Sequence, residues 1–192
     1  HSIRAFRTLQ QERPDLAECL MRPFVFSRQG EQASDEPPYY RASVVGEKNG
    51  QLFCRHIRNH INSAQLTFDD IERLTPLQTE ALDQFDQMLQ RQDLCYHMRL
   101  EKGDVQLLNN HCVLHSRTEY VDHPDPAEKR HLLRLWLSSY QGQALPDNWK
   151  DVYKNVAPRS VRGGFKGTQI TDEIRVYIRR LADETQMELI PQ

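Results

Sequence analysis

The chain has 192 residues, a formal net charge of −2 at pH 7 and a pI near 6.5. This length suits one domain with a real hydrophobic core, and the near-neutral charge gives no general attraction to nucleic acid or anionic membranes. No apolar run approaches the roughly 20 residues that a membrane-spanning helix needs, and no signal-peptide pattern opens the chain. The sequence therefore predicts a soluble cytoplasmic protein.

Helical periodicity begins at once. The segment "SIRAFRTLQQE" predicts a helix over residues 2–12, and a second helix is predicted from Pro14, with Leu16, Cys19 and Leu20 along one face. Because no lead-in precedes the first helix, we expect the chain to be the C-terminal part of a longer protein.

A polar loop and a hairpin follow. "SRQGEQASDEPPYY" (27–40) carries a glycine and a proline pair and predicts a surface loop. In "YYRASVVGEKNGQLFCRHIRNHI", two strand-like runs flank Asn49-Gly50, a strong signal for a tight hairpin turn.

The best helical segment is "LTPLQTEALDQFDQMLQRQ". Thr75 suits the N-cap, Pro76 the first helical position, and Gln78 completes a capping box with Thr75. An apolar stripe along this helix predicts that it packs on the core.

The remaining pattern is mainly β. "LCYHMRLEKGDVQLLNNHCVLHSRT" predicts short strands with turns at 101–104 and at Asn109-Asn110, ending at His115. A further strand is predicted from Arg130 to Ser138, and a last helix at "TDEIRVYIRRLADETQ". The predicted fold class is mixed α/β, with a mainly β core flanked by helices.

Two arginines interrupt the strand predicted over 130–138. Alternation places Arg130, Leu132, Arg134 and Trp136 on one face. The other face looks like packed core and carries His131, Leu133, Leu135 and Leu137. Because an unpaired buried guanidinium is costly, the arginine face is either solvated or lines a cavity that holds an anion. Leu132 and Trp136 favour the cavity, and the arginine fork suits a carboxylate.

Histidines offer metal ligands, each with a structural alternative. His115 ends an apolar run where a side chain can project into a cavity, and neutral imidazole is a common metal ligand. His111 would pair with it only on a helix, which the Asn-Asn turn disfavours. His56 and His60 are also four apart, but "LFCRHIRN" looks like a strand.

The four cysteines are scattered without a C-x-x-C pair. Free thiols are favoured over a disulfide framework. "VRGGFKG" (161–167) lacks both a preceding strand and a Gly-Lys-Ser/Thr ending, and so is a weak phosphate-loop signal.

The block "GDVQLLNNHCVLHSRTEY" followed by "EKRHLLRLWLSS" resembles the C-terminal half of the taurine dioxygenase (TauD/TfdA) and clavaminate synthase-like family. The resemblance extends upstream through "RPDLAECLMRPF", "PPYYRASVV" and "RHIRNHINSAQ", and covers about residues 2–140. It implies a double-stranded β-helix (jelly roll) with flanking helices, incomplete in this chain, with residues 141–192 as a C-terminal extension.

The resemblance also implies site roles. His115 matches the distal histidine of a two-His-one-carboxylate iron site, which leaves coordination positions open. Arg130 matches the arginine that pairs with the distal carboxylate of 2-oxoglutarate, and Arg134 resembles one that holds an acidic group of co-substrate or substrate. Which arginine takes which anion stays open, and Asn109 and Asn110 match turn positions with either a structural or a ligand-contacting role.

The chain departs from the family in one respect. The other two iron ligands belong to a His-x-Asp/Glu motif that lies upstream of the matched region. Only His123-Pro124-Asp125 has that form here, and its order and context are wrong. The chain thus holds one of three expected ligands.

The implied activity is that of an Fe(II)/2-oxoglutarate-dependent dioxygenase, with Fe(II), 2-oxoglutarate and O₂ as cofactors and co-substrates. It would hydroxylate, desaturate or cyclise a small acidic or amino-acid-derived molecule. The alternatives are a non-catalytic jelly-roll fragment or pseudoenzyme that binds a small carboxylate, and an iron oxidase of the same fold that does not use 2-oxoglutarate. No nucleic-acid or membrane partner is expected, and homo-oligomerisation stays open.

Overall fold

The structure, a computed structural model, describes residues 1–162 and 171–189. Within these residues the chain is mixed α/β, as predicted. The helices are α1 (Ser2–Glu12), α2 (Pro14–Leu20), α3 (Arg58–Thr67), α4 (Pro76–Leu89), α5 (Lys150–Tyr153) and α6 (Asp172–Thr185). The strands are β1 (Pro23–Ser27), β2 (Tyr39–Ser43), β3 (Val45–Lys48) and β4 (Gln51–Cys54). Short 3-10 turns occupy Pro126–Glu128 and Asp147–Trp149.

Helices α1, α2 and α4 pack on one another and form the helical side of the main core. Their buried side chains are Phe6 and Leu9 from α1, Leu16 and Leu20 from α2, and Ala81, Leu82 and Phe85 from α4. The bounds of α1 and α2 confirm both predicted helices, and Pro14 occupies the first turn of α2.

The capping box of α4 is formed as predicted. The Thr75 hydroxyl accepts a hydrogen bond from the Gln78 N–H at 3.2 Å, and the Gln78 side-chain oxygen accepts one from the Thr75 N–H at 2.9 Å. Two backbone N–H groups that the helix leaves without partners are thereby satisfied.

The strands form two antiparallel pairs. β1 pairs with β2 from Pro23–Ser43 to Ser27–Tyr39, and the loop predicted over 27–40 connects them. β3 and β4 form the predicted hairpin. Asn49 and Gly50 both have positive φ angles, 53° and 76°, as a type I′ turn requires.

Helix α3 was not predicted, since "LFCRHIRN" looked like one continuing strand. Strand β4 ends at Cys54, and from Arg58 the buried positions Ile61 and Ala64 follow helical spacing. His56 precedes this helix and contacts Asp86 of α4 at 2.5 Å, whereas His60 lies on the helix. The alternative of a His56–His60 metal pair is therefore not supported.

The segment after residue 140 closes over the β3–β4 hairpin. Trp149 is fully buried, and its indole N–H donates to both the backbone oxygen and the hydroxyl of Ser43, at 3.0 and 3.1 Å. Gly46 lies so close to this segment that a Cβ there would be 2.5 Å from Cγ of Pro146. Helix α6 confirms the last predicted helix, and Thr171 caps it.

The strands predicted over 94–115 and 130–138 are wrong for this structure, which shows no strand there. The residues expected to form packed core are exposed, with Leu133 at 87%, Leu135 at 83% and Leu137 at 78%. A strand needs a paired neighbour for its backbone N–H and C=O groups, and no described strand pairs with these residues. The jelly roll therefore stays a prediction.

Cys19 and Cys54 are buried free thiols, the alternative that the sequence favoured, and Cys95 and Cys112 are half-buried free thiols. No helix in the described ranges is long and apolar enough to cross a membrane. Residues 163–170, which hold most of the "RGGFKG" segment, lie outside the described residues.

We predict that Thr75→Ala lowers the free energy of unfolding by about 1 kcal/mol, because it removes the N-cap of α4. Chemical denaturation monitored by circular dichroism would measure this change. Thr79→Ala in the same helix is the matched control, with a change of only a few tenths of a kcal/mol. Equal losses in the two variants would contradict the capping role.

Candidate functional site

The segment before the predicted iron ligand is anchored to the core. The Cys54 N–H donates to the His111 oxygen at 2.8 Å, and the N–H and hydroxyl of Ser2 donate to the Cys112 oxygen at 3.0 and 2.7 Å. The side chain of Asn109 accepts from the His111 N–H at 3.0 Å. Asn109 thus has the structural role that the sequence left open.

His115 lies where the chain leaves this anchored segment. Leu114 still packs against the main core, whereas His115 is exposed. It has no hydrogen bond, ion pair or ring contact with another described residue. Nor do the described ranges hold any group of three His, Cys, Asp or Glu side chains placed to bind a metal. The imidazole is a free donor, but residues 1–162 and 171–189 do not by themselves fit an iron site.

The other candidate motif is local. His123 accepts a hydrogen bond from the Asp125 N–H at 3.1 Å through its Nδ1 atom, within the proline loop. The Asp125 carboxylate accepts in turn from the Ala127 N–H at 2.9 Å. Both side chains therefore stabilise a turn, as expected of a coincidental His-Pro-Asp sequence.

Arg130 and Arg134 are exposed, and neither forms an ion pair with a described carboxylate. Their predicted neighbours Leu132 and Trp136 are also exposed, at 50% and 68%. Of the two alternatives from the sequence, the solvated face describes this structure. The three predicted site residues His115, Arg130 and Arg134 are not brought into contact.

A different group of arginines converges within the folded part. We call it the arginine–aromatic cluster, and it consists of Arg28, Arg55, Arg162, Tyr40, Tyr153 and His111. Its arginines come from three separate segments: the end of β1, the end of β4, and the region after α5. All three are half-buried.

One half of the arginine–aromatic cluster is a stack on the β1–β2 sheet. The rings of Phe26 and Tyr40 are parallel, with centroids 5.4 Å apart. The Arg55 guanidinium carbon lies 5.2 Å from the Phe26 centroid and 4.9 Å from the Tyr40 centroid, and Arg28 also lies 4.9 Å from Tyr40. These distances are within the range of cation–π attraction.

The other half surrounds His111. Its ring lies 5.9 Å from Phe53, 5.9 Å from Trp149 and 5.7 Å from Tyr153. Burial, together with the positive charges of Arg162 and Arg55, lowers the pKa of His111 to about 4. His111 is therefore neutral and structural, as the sequence suggested, but in a positive environment that was not foreseen.

The phenol groups of Tyr40 and Tyr153 lie in the same buried, positively charged environment as His111. Burial raises the pKa of Tyr40 and of Tyr153, and the charge of the neighbouring Arg55 opposes part of each rise. Burial also lowers the pKa of Arg162. The cluster is thus a partly desolvated region of positive potential.

Sequence reasoning missed the arginine–aromatic cluster, although a signal was present. Arg55 ends the apolar run of β4, so the argument applied to Arg130 applied equally to it. In the sequence, Arg162 stands out only as part of the weak phosphate-loop pattern "VRGGFKG". The convergence of these segments depends on tertiary packing, which a single sequence does not display.

A cleft of about 730 Å³ lies elsewhere, between β3 and the segment 144–158. Two of its three lysines are ion-paired: Lys48 contacts Asp147 at 2.8 Å, and Lys154 contacts Glu36. None of the predicted site residues lines this cleft, so it is not the predicted iron pocket.

We predict that His111 makes the protein less stable at acidic pH. The unfolded chain takes up a proton on this histidine from about pH 6.5 downward, whereas the folded protein does so only near pH 4. Stability is therefore lost as the pH falls through this window, by about 3 kcal/mol in total. His111→Phe keeps ring packing and should abolish this part of the pH dependence of the free energy of unfolding.

The exposed His97 provides the control for this measurement, since His97→Phe should leave the pH dependence unchanged. If denaturation curves of wild type and His111→Phe change in parallel from pH 7 to pH 4, His111 is not a buried neutral group.

Comparisons with known proteins match most of the chain. The sequence model described as "Taurine catabolism dioxygenase TauD, TfdA family" matches residues 1–136. FR-33289 synthase of Streptomyces rubellomurinus (strain ATCC 31215) is 37% identical over 152 residues, which are 76% of this chain and 43% of that protein. Taurine hydroxylase-like protein SAT17 of Stachybotrys chartarum (strain CBS 109288 / IBT 7711) is 29% identical over 139 residues, 70% of this chain and 34% of that protein.

The chain thus spans less than half the length of both curated relatives. The family match includes His115, Arg130 and Arg134, and therefore the block on which the resemblance was based. It also includes Arg28, Arg55 and His111 of the arginine–aromatic cluster. The chain belongs to the TauD/TfdA dioxygenase family.

Proposed function

We propose that this chain is part of a non-haem Fe(II)/2-oxoglutarate-dependent dioxygenase that hydroxylates, desaturates or cyclises a small acidic or amino-acid-derived substrate. The observation that carries the proposal is the family match across residues 1–136, which contains the Leu-His-x-Arg block and both strand arginines. One relative is named a synthase and the other a taurine hydroxylase-like protein. The second name is that of a hydroxylase-like protein, which agrees with the hydroxylation proposed here.

His115 supplies one iron ligand in this proposal. Its imidazole is exposed and free of protein partners among the described residues, so a metal has access to it. The anchored turn before it fixes where the chain emerges from the core. The remaining two ligands belong to a His-x-Asp/Glu motif outside residues 1–192.

We predict that His115→Ala weakens Fe(II) binding by the full-length protein by about 100-fold or more, because even an outer hydrogen-bond partner of a metal ligand contributes 10–100-fold. Anaerobic calorimetric titration with Fe(II) would measure the affinity. His123→Ala is the matched control, since it removes another exposed imidazole eight residues away. Unchanged iron affinity in His115→Ala would rule out the ligand assignment.

Arg130 and Arg134 hold the anions in this proposal. Arginine forms two parallel hydrogen bonds with a carboxylate, which gives orientation as well as affinity. We assign the distal carboxylate of 2-oxoglutarate to Arg130, and an acidic group of co-substrate or substrate to Arg134. Their exposure in this structure leaves both guanidinium groups free to take such partners.

We predict that Arg130→Ala raises the 2-oxoglutarate concentration for half-maximal succinate release by about 10- to 100-fold, the effect of losing a charge-assisted pair. Arg134→Ala distinguishes the roles: if it instead raises the KM of the primary substrate, Arg134 binds the substrate. Arg179→Ala, on the exposed face of α6, is the control. Should Arg130→Ala leave the 2-oxoglutarate requirement unchanged, the assignment of Arg130 fails.

The chain would then be the C-terminal portion of one jelly-roll domain. Two observations support this: the chain spans 43% of FR-33289 synthase, and the apolar residues of 130–138 are exposed. Pairing of 130–138 with strands from another part of the domain would bury Leu133, Leu135 and Leu137. It would also align Arg130 and Arg134 on one face.

A further inference from the structure

The arginine–aromatic cluster concentrates positive charge without matching acids. Arg28 and Arg55 both lie 4.9 Å from the centroid of the Tyr40 ring, so two positive charges share one aromatic partner. Arg162 adds a third charge beside Tyr153 and His111. Within residues 1–162 and 171–189, no carboxylate forms an ion pair with any of these three guanidinium groups.

The neighbouring acid is committed elsewhere. The positive charge of Arg28 contributes to the lowered pKa of Glu36, but the ion pair of Glu36 is with Lys154, which is the main cause of that lowering. Arg28 itself donates from Nη2 to the backbone oxygen of Asp151 at 2.9 Å. Backbone oxygens and ring faces hold these arginines in place without neutralising them.

Several donors in the arginine–aromatic cluster have no partner. Nη1 of Arg55, Nε of Arg162, Nε of Arg28 and Nδ1 of His111 are buried atoms that form no hydrogen bond to any described residue. A buried donor without an acceptor loses its hydration at a cost of several kcal/mol for charged groups. Three of these atoms are guanidinium donors, Nδ1 of His111 donates in one of its two tautomers, and the Tyr40 hydroxyl beside them also has no partner among the described residues.

The aromatic side chains explain how the arginines stay in place. The stacked Phe26 and Tyr40 rings support the Arg55 guanidinium from one side, and the phenols of Tyr40 and Tyr153 also interact with it, while its Nη1 atom has no hydrogen-bond partner among the described residues. Arg162 is fixed by donation to the backbone oxygen of Gln143. Guanidinium groups held in this way are preorganised, so little side-chain entropy is lost when they bind an anion.

We propose that the arginine–aromatic cluster is a binding site for a small oxyanion, the carboxylate or phosphate group of a ligand, with Arg55 and Arg162 as the principal donors. The site uses neither His115 nor Arg130 nor Arg134, and so does not depend on the iron and 2-oxoglutarate assignments. His111 contributes its neutral ring as a wall and a potential Nδ1 donor. Tyr153 closes the site beside Arg55.

Calorimetric titration of the full-length protein with sodium phosphate and, in a separate experiment, with sodium acetate tests whether the cluster binds an oxyanion. Sodium chloride at matched ionic strength is the reference. We expect saturable binding of at least one of the two anions, weakened about tenfold or more in Arg55→Gln because a charge-assisted pair is lost. The anion that binds more tightly identifies the chemical class. No saturable heat with either anion, or equal affinity in Arg55→Gln, would overturn the proposal.

Arg41→Gln is the matched control. Arg41 also lies over a tyrosine ring, 5.7 Å from the Tyr39 centroid, but it is exposed and outside the arginine–aromatic cluster. This substitution should leave anion affinity unchanged. A loss in Arg41→Gln as large as that in Arg55→Gln would indicate non-specific electrostatics and also overturn the site.

A second readout reports the position of the anion and does not need a substitution in the arginines. An anion beside Arg55 and Arg162 favours the imidazolium form of His111, so NMR titration should show its pKa rising when the tighter-binding anion is added. A purely structural cluster would leave the pKa of His111 where it is.

Discussion

The arrangement of the candidate sites depends on the contacts that the buried indole of Trp149 makes. Its N–H donates to Ser43, where β2 passes into the hairpin, and so joins a segment more than 100 residues away in sequence to the sheets. The same ring packs near Phe53 and His111. Together with the Lys48–Asp147 ion pair and the hydrogen bond from Arg28 to the Asp151 backbone oxygen, this contact holds the region after residue 140 against the sheets, where Tyr153 and Arg162 interact with Arg55 and His111.

A second constraint, the pairing of strand backbones, divides the chain. Several segments before His115 find neighbours: β1 pairs with β2, β3 with β4, and the His111 and Cys112 carbonyls accept from Cys54 and Ser2. From His115 to Tyr140 the described chain offers no such neighbour. Apolar side chains that would form one face of a strand therefore remain exposed, and the predicted ligand residues stay apart.

The features that sequence predicted well are those set by local chemistry. The Thr75 capping box, the Asn49-Gly50 turn and the bounds of α1 and α2 each depend on a few adjacent residues, and each is formed. Helix α3 was missed because Cys54 to His60 contains a strand end and a helix start without a glycine or proline between them. The strand over 130–138 was predicted from alternation alone, and alternation cannot say whether a partner strand is present.

An arginine within an apolar strand needs an anion only where it is buried, and Arg130 and Arg134 are exposed. In this structure water solvates both groups, so no desolvation cost requires an anion there, and their assignment depends on the family match. Arg55 and Arg162 are half-buried, carry donors without acceptors, and lie where burial and like charge lower the pKa of His111. The desolvation cost therefore falls on Arg55 and Arg162. This makes the physical case for a bound anion stronger at the arginine–aromatic cluster than at residues 130–138, where the sequence first suggested one.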